Sequence, residues 1–161
     1  MVTAQALTLL VLVAVLPALA AAAESAGFPD FAWPVEGKVI DNDDGKRGST
    51  SAEGIDILVP EGTDVRASRA GTVIYAGKGP ESFGNLILIR HEGGWITVYG
   101  HNGELFVNRG EAVQAGDVIA RSGSTGFVSR PMLHFEIRKE EAPRSPAEYL
   151  PLLKLQESDS P

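Results

Sequence analysis

The strongest structural signal in the chain is a pair of β-rich runs separated by a glycine turn. Residues 86–91 (LILIRH) and residues 95–99 (WITVY) flank Glu92-Gly93-Gly94. Branched and aromatic side chains favour strands, and two adjacent glycines supply the backbone freedom that a tight turn needs. This pattern predicts an antiparallel β-hairpin.

Similar short runs recur along the rest of the chain, bounded by glycine, proline and aspartate. They are residues 55–59, 71–76, 118–120 and 133–138. Short strands with frequent turns favour an all-β domain, built as an antiparallel sandwich or open barrel. We expect a helix only over residues 146–155, as a short carboxy-terminal cap.

The composition excludes several classes of function. The sequence has no cysteine, so disulfides, thiolate metal sites and cysteine nucleophiles are excluded. Imidazole chemistry is limited to His91, His101 and His134. The net charge of −7 gives no basis for binding nucleic acid or an anionic membrane. His91 ends a run beside the glycine turn, and we expect it to be exposed.

An apolar amino-terminal stretch predicts export. Residues 1–23 contain no charged side chain, and the apolar run of residues 7–19 is too short to span a bilayer. We expect a signal peptide over residues 1–23, a flexible lead-in over residues 24–30, one domain over residues 31–155 and a frayed tail over residues 156–161. The mature protein is then periplasmic or otherwise exported, without a membrane span. The alternative is an uncleaved amino-terminal anchor.

Several motifs in a fixed order resemble those of a known family. The chain contains GIDILVPEGTDVRA, AGTVIYAG, GNLILIRH, VYGHN, VQAGDVIARSGSTG and LHFEIR. Together they closely resemble the M23 zinc peptidase domain of the LytM and lysostaphin type. The resemblance implies a small antiparallel β-fold (LytM type, duplicated hybrid motif-like) with a groove across it. It also implies a zinc ion and a zinc-bound water that attacks peptide cross-links in peptidoglycan.

This chain fills the family's zinc and catalytic positions only in part. By the resemblance, Asp56 and His134 are retained zinc ligands, from an H-x-x-x-D motif and an H-x-H motif. Ala52 stands where the first zinc-binding histidine belongs, and its methyl group cannot donate to a metal. Met132 replaces the first histidine of H-x-H, and a thioether is a poor zinc ligand that cannot carry a proton. His101 matches the remaining catalytic histidine and is expected to be vestigial.

Two ligands are too few to hold catalytic zinc, so we expect no cofactor unless a substitute side chain completes the site. The candidates for this rescue are Ser49, Ser51, Glu53, Asp43 and Asp44. We expect instead that Asp56 and His134 hydrogen-bond directly to each other.

Members of this family that lack the catalytic set resemble amidase activators of the EnvC and NlpD type. The resemblance implies a non-catalytic exported domain that binds and regulates a peptidoglycan hydrolase, an amidase, in cell-wall remodelling or division. The groove residues expected to contact the partner are Ala52, Tyr99, Arg130 and Met132. One alternative is a zinc metalloendopeptidase with an atypical ligand set. Another is a structural module that binds peptidoglycan.

Overall fold

The computed structural model of the chain describes residues 30–40 and 54–151. The expected signal peptide, Ala52, all five candidates for ligand rescue and the expected tail lie outside the described residues. Within the described ranges, no helix is both long and apolar enough to cross a membrane.

The described residues form ten β-strands and one turn of 3-10 helix. The strands are β1 (Lys38–Ile40), β2 (Ile55–Leu58), β3 (Asp64–Arg66), β4 (Gly71–Lys78), β5 (Asn85–His91), β6 (Trp95–Leu105), β7 (Ala112–Val113), β8 (Val118–Ser122), β9 (Met132–Lys139) and β10 (Ala142–Arg144), and the 3-10 helix is Pro146–Glu148. All pairings between these strands are antiparallel. The predicted all-β antiparallel fold is confirmed.

The longest strand, β6, connects the parts of the sheet. The main path runs β1-β2-β9-β6-β5-β4-β7, and β10 pairs with β9. β6 pairs with β5 and β9 along its first half. From Asn102 to Leu105 it pairs with β8, with a register shift between Asn102 and Glu104, and β8 in turn pairs with β3. An irregularity of this kind bends a strand, and here it lets one strand belong to both pairings.

The hydrophobic core lies on one face of the central strands. On β9, Leu133, Phe135 and Ile137 are fully buried. Because side chains alternate along a strand, His134 and Glu136 point to the opposite face. The candidate functional site lies on that opposite face.

The expectation that His91 is exposed is wrong. His91 pairs with Trp95 at the predicted hairpin turn, but it is only 4% exposed. Its Nδ1 lies 2.8 Å from the Ala70 carbonyl oxygen and its Nε2 lies 2.8 Å from Thr97 Oγ1. These two polar partners offset the cost of burying the ring. The sequence around His91 could not indicate this burial, because the Ala70 carbonyl comes from a distant part of the chain.

The carboxy-terminal cap is shorter than predicted. Only Pro146–Glu148 form a 3-10 turn, and residues 152–155 lie outside the described part of the chain. After this turn, Tyr149 packs edge-on against Trp95 with the ring centroids 5.0 Å apart, and Leu150 is buried. The cap is therefore made by two side chains that follow a single turn.

Candidate functional site

Three adjacent strands bring the predicted site residues together. Asp56 on β2 pairs with His134 on β9, and His134 pairs on its other side with Gly100 on β6. A Cβ at Gly100 would lie 3.4 Å from the Cβ of His134 and 3.3 Å from Cδ1 of Phe83. Glycine at this position therefore avoids a close contact with Phe83, and His101 follows it directly.

His134 lies between two carboxylates. Its Nδ1 is 2.6 Å from Asp56 Oδ1, as expected from the sequence, and its Nε2 is 3.0 Å from Glu136 Oε1. Burial disfavours a charged imidazole, but the hydrogen bonds and charges of the two carboxylates outweigh burial and raise the pKa of His134 to about 9. At neutral pH both ring nitrogens are therefore protonated and both donate.

Arg138 extends this set of contacts. Its Nε lies 2.6 Å and its Nη2 2.5 Å from Glu136 Oε2. Neither Glu136 nor Arg138 was predicted as a site residue. The signal that could have found them is their spacing, because residues two and four positions after His134 share its face of the strand.

His101 lies beside Asp56 and His134, and its backbone has a strained conformation. Its φ is 63°, which side-chain-bearing residues seldom adopt. Its N–H donates to the Phe83 carbonyl at 2.7 Å, and its Nδ1 lies 2.9 Å from the Thr125 carbonyl oxygen. Because a carbonyl only accepts, Nδ1 carries the proton of the neutral ring and Nε2 carries the lone pair. Strain of this kind is concentrated at functional sites.

Asp56, His101 and His134 together have the composition of a metal site. One ligand atom from each residue lies within 4.8 Å of the other two, and this is the one such group of three found in residues 30–40 and 54–151. Zinc accepts a carboxylate and two imidazoles as ligands. However, either nitrogen of His134 would have to lose a proton and a carboxylate partner before it bound a metal. His101 was predicted as a catalytic position and not as a third metal donor.

The other predicted groove residues are not equally accessible. Met132 lies two positions before His134 on the same face of β9, but it is only 6% exposed. Arg130 is exposed in the loop before β9. The expectation that Tyr99 lines the groove is wrong, because its side chain is fully buried on the core face and its ring packs against Phe135 at a centroid distance of 5.4 Å.

A surface pocket of about 410 Å³ lies next to His101. Its lining residues are Lys78, Gly79, Glu81, Gly84, Asn85, Thr125, Gly126 and Phe127. Thr125 links the pocket to the cluster, since its carbonyl holds His101 while its hydroxyl accepts the Asn85 N–H at 3.0 Å. Phe127 is 65% exposed. Phe127 was not predicted as a site residue, because one apolar residue in a Ser/Gly-rich loop is a weak signal.

Two curated relatives cover most of this chain. It is 43% identical over 123 residues to a lipoprotein NlpD/LppB homolog of Pseudomonas aeruginosa. The aligned residues make up 75% of this chain and 40% of that protein. It is 41% identical over 119 residues to the murein hydrolase activator NlpD of Escherichia coli K12. The aligned residues make up 74% of this chain and 31% of that protein. The chain thus spans less than half the length of these relatives.

A solved structure and a protein-family model are also similar to this chain. The fold is similar to that of a zinc containing peptidase from Vibrio cholerae, with a TM-score of 0.62 and 29% identity over 72% of this chain and 39% of that chain. The sequence model of Peptidase family M23 matches residues 50–146, which are more than half of the sequence. The chain belongs to peptidase family M23.

Proposed function

We propose that this chain is a non-catalytic, exported member of the family that binds an amidase acting on peptidoglycan and regulates it. The proposal depends on one observation. Both ring nitrogens of His134 face carboxylates. The relative from Escherichia coli K12 is named a murein hydrolase activator, which supports a regulatory role. The lipoprotein name of the Pseudomonas aeruginosa relative supports a location in the cell envelope.

The charges of the cluster balance without a metal ion. Two carboxylates, one imidazolium and one guanidinium sum to zero, and each is hydrogen-bonded to a group of opposite charge. A buried set of charges is tolerated when its members are paired in this way. In the sequence, Ala52 and Met132 add no donor that zinc prefers. The paired charges make the cluster a polar contact between strands, which supports a structural rather than a catalytic role for these residues.

The surface beside the cluster is suited to a protein partner. Aromatic and arginine side chains dominate the energy of protein interfaces. Phe127 and Arg130 are both exposed in the loop between β8 and β9, and Phe127 borders the pocket. We place the partner contact on this loop.

The test is an amidase assay on purified peptidoglycan with the full chain added. The chain alone should release no cross-link peptides with or without zinc, and it should accelerate the amidase. Phe127→Ala should weaken the acceleration by roughly tenfold or more, the size of an interface hot-spot residue. Phe106→Ala is the matched control, because Phe106 is also an exposed aromatic residue (42%) but stacks with Arg121 elsewhere.

Three other outcomes contradict parts of the proposal. Equal loss in both phenylalanine variants removes the β8–β9 loop as the contact. Cross-link cleavage by the chain alone removes the non-catalytic role. Co-sedimentation with peptidoglycan and no effect on the amidase favours a structural module that binds the cell wall.

A zinc endopeptidase is the second candidate, favoured by one observation. Asp56, His101 and His134 offer three ligand atoms within 4.8 Å of one another, the number that a catalytic zinc site needs besides its water. Metal analysis of the purified chain separates the two functions. Stoichiometric zinc, together with cross-link cleavage that Asp56→Ala abolishes, supports the enzyme and rejects the regulator.

A further inference from the structure

A second polar cluster lies in the core, on the face opposite to the candidate site. The Ser68 N–H donates to the Tyr99 hydroxyl at 2.9 Å, and that hydroxyl lies 2.9 Å from Thr97 Oγ1. Thr97 Oγ1 lies 2.8 Å from Nε2 of His91, and Nδ1 of His91 lies 2.8 Å from the Ala70 carbonyl oxygen. These contacts form one continuous path, which we call the polar chain.

Donors and acceptors along the polar chain match when His91 is neutral. The Ala70 carbonyl only accepts, so Nδ1 carries the proton and Nε2 carries a lone pair. The Thr97 hydroxyl, which can also donate to the Tyr99 oxygen, then turns its hydrogen to Nε2 and accepts from the Tyr99 hydroxyl. The Tyr99 hydroxyl in turn accepts from Ser68. Each of these groups then has a partner, although Thr97 and Tyr99 are both 0% exposed.

A second proton on His91 breaks this match. Nε2 becomes a donor, so Thr97 Oγ1 must accept from it and turn its own hydrogen toward the Tyr99 oxygen. That oxygen already accepts the Ser68 N–H, and the hydrogen of the Tyr99 hydroxyl loses its acceptor along the polar chain. A buried donor without an acceptor loses the full energy of its hydration.

Residues 30–35, which we call the docked segment, lie against the polar chain. Phe31 is 2% exposed, and its ring lies edge-on to that of His91 with the centroids 5.6 Å apart. The Ala32 N–H donates to the Ser68 carbonyl at 2.8 Å, and the Ser68 hydroxyl donates to the Ala32 carbonyl. Ser68 therefore belongs to the polar chain and also holds the docked segment.

We infer that the polar chain is an acid-sensitive clamp, which holds the docked segment while His91 is neutral and releases it when His91 gains a proton. Phe31 shields the His91 ring from water, so release and hydration of the charged ring occur together. The clamp lies away from Asp56 and His134 and does not depend on the proposed function.

The groups around His91 favour its neutral form. Burial lowers the pKa of His91, the hydrogen bond to the Ala70 carbonyl raises it, and the positive charge of Arg69 lowers it; the net shift is below the ordinary value of 6.5. Arg69 lies over the Phe31 ring, 5.7 Å from its centroid. Burial raises the pKa of Tyr99 to about 12, so its hydroxyl stays protonated. A lowered pKa means that the clamp is complete above pH 6.5 and weakens as the pH falls from there toward the pKa of folded His91.

The test is amide hydrogen exchange of the full chain by NMR, expressed as protection factors at several pH values. The protection of the Ala32 amide should fall roughly tenfold for each pH unit between 6.5 and the pKa of folded His91. Amides of β2, on the other side of the sheet order, should keep their protection. In His91→Gln, which cannot take up this proton, the protection of Ala32 should not change with pH.

The ring nitrogens of His91 in the unmodified protein provide a second measurement, which does not depend on the folding of the variant. Their chemical shifts should show the Nδ1–H tautomer at neutral pH, and their titration should coincide with the loss of protection at Ala32. Constant protection at Ala32 while His91 is protonated would overturn the inference. A loss that extends equally to β2 would overturn it as well, because it would report global unfolding.

Discussion

Asp56 and His134 face each other across the β2–β9 pair and are joined directly, Oδ1 to Nδ1, at 2.6 Å. Asp56 is 7% exposed, so the contact is a largely buried ion pair. Removing one member of such a pair leaves the other charge buried without its partner. This is costly even where the pair itself contributes little relative to apolar residues of the same size.

Asp56→Ala should therefore destabilise the fold. We expect a loss of about 2–4 kcal/mol in the free energy of unfolding, since Glu136 still compensates one side of the imidazolium. Chemical denaturation at neutral pH in the presence of EDTA measures this change without interference from metal.

Asp64→Ala is the control for this change. Asp64 pairs with Arg121 at 3.1 Å, but the two side chains are 37% and 48% exposed. An exposed pair contributes less than about 1 kcal/mol. Equal losses in the two variants would show that the Asp56–His134 contact is not a buried ion pair in solution.

The two halves of this site differ in how far the sequence could predict them. The contact between Asp56 and His134 could be expected, because both positions match the family's motifs while Ala52 and Met132 leave the expected set of histidines incomplete. Glu136 and Arg138 complete the charge balance but match no expected ligand position. Their role depends on the rotamers of three side chains on one strand face, which only the three-dimensional structure provides.

The pH dependence of stability should show the raised pKa of His134. Its pKa is about 9 in the folded chain against 6.5 for the ordinary residue. A raised pKa gives stability that is fully present below pH 6.5 and is lost as the pH rises toward 9. The loss should be on the order of 2–4 kcal/mol.

The measurement is the free energy of unfolding in EDTA at a series of pH values from 6 to 10. His134→Gln should remove the slope between pH 6.5 and 9, since an amide does not titrate there. If the unmodified chain shows no slope in this window, His134 is not held as an imidazolium.

Restoring the two missing histidines should restore zinc binding. In Ala52→His with Met132→His, the H-x-x-x-D and H-x-H motifs are complete and three protein ligands surround an open position. The gain in zinc affinity should exceed the roughly 10–100-fold that a supporting residue contributes. Competition with a chromogenic chelator measures it, and Met132→His alone should gain less. No gain in the double variant would mean that position 52 does not face the cluster.

The regular strands and turns were easier to predict than the irregular parts of the fold. The hairpin at Gly93-Gly94 was predicted from two glycines, which have φ of 77° and 75° in the structure. The continuation of β6 past Tyr99 to Leu105 was not predicted, because Gly100, Asn102 and Gly103 have low strand propensity. Pairing with three neighbouring strands overrides that local preference. The burial of Tyr99 and His91 was missed for a related reason, since their polar partners come from other parts of the chain.

Gly84→Ala should damage the cluster through the loop that carries Thr125. Gly84 has φ of 62°, and a Cβ there would lie 2.4 Å from Thr125 Oγ1 and 2.6 Å from the Gly126 nitrogen. The two loops would have to separate, which would move the Thr125 carbonyl away from His101. We expect a loss of about 2–4 kcal/mol from backbone strain together with overpacking. We also expect a shift of the His101 ring signals in NMR spectra.

Gly62→Ala is the matched control, since Gly62 has φ of 79° but nothing within 4 Å of an added Cβ. It should lose only the strain of about 1–2 kcal/mol and leave His101 unchanged. A shift of His101 in both variants would show that the closeness of the two loops does not position the imidazole.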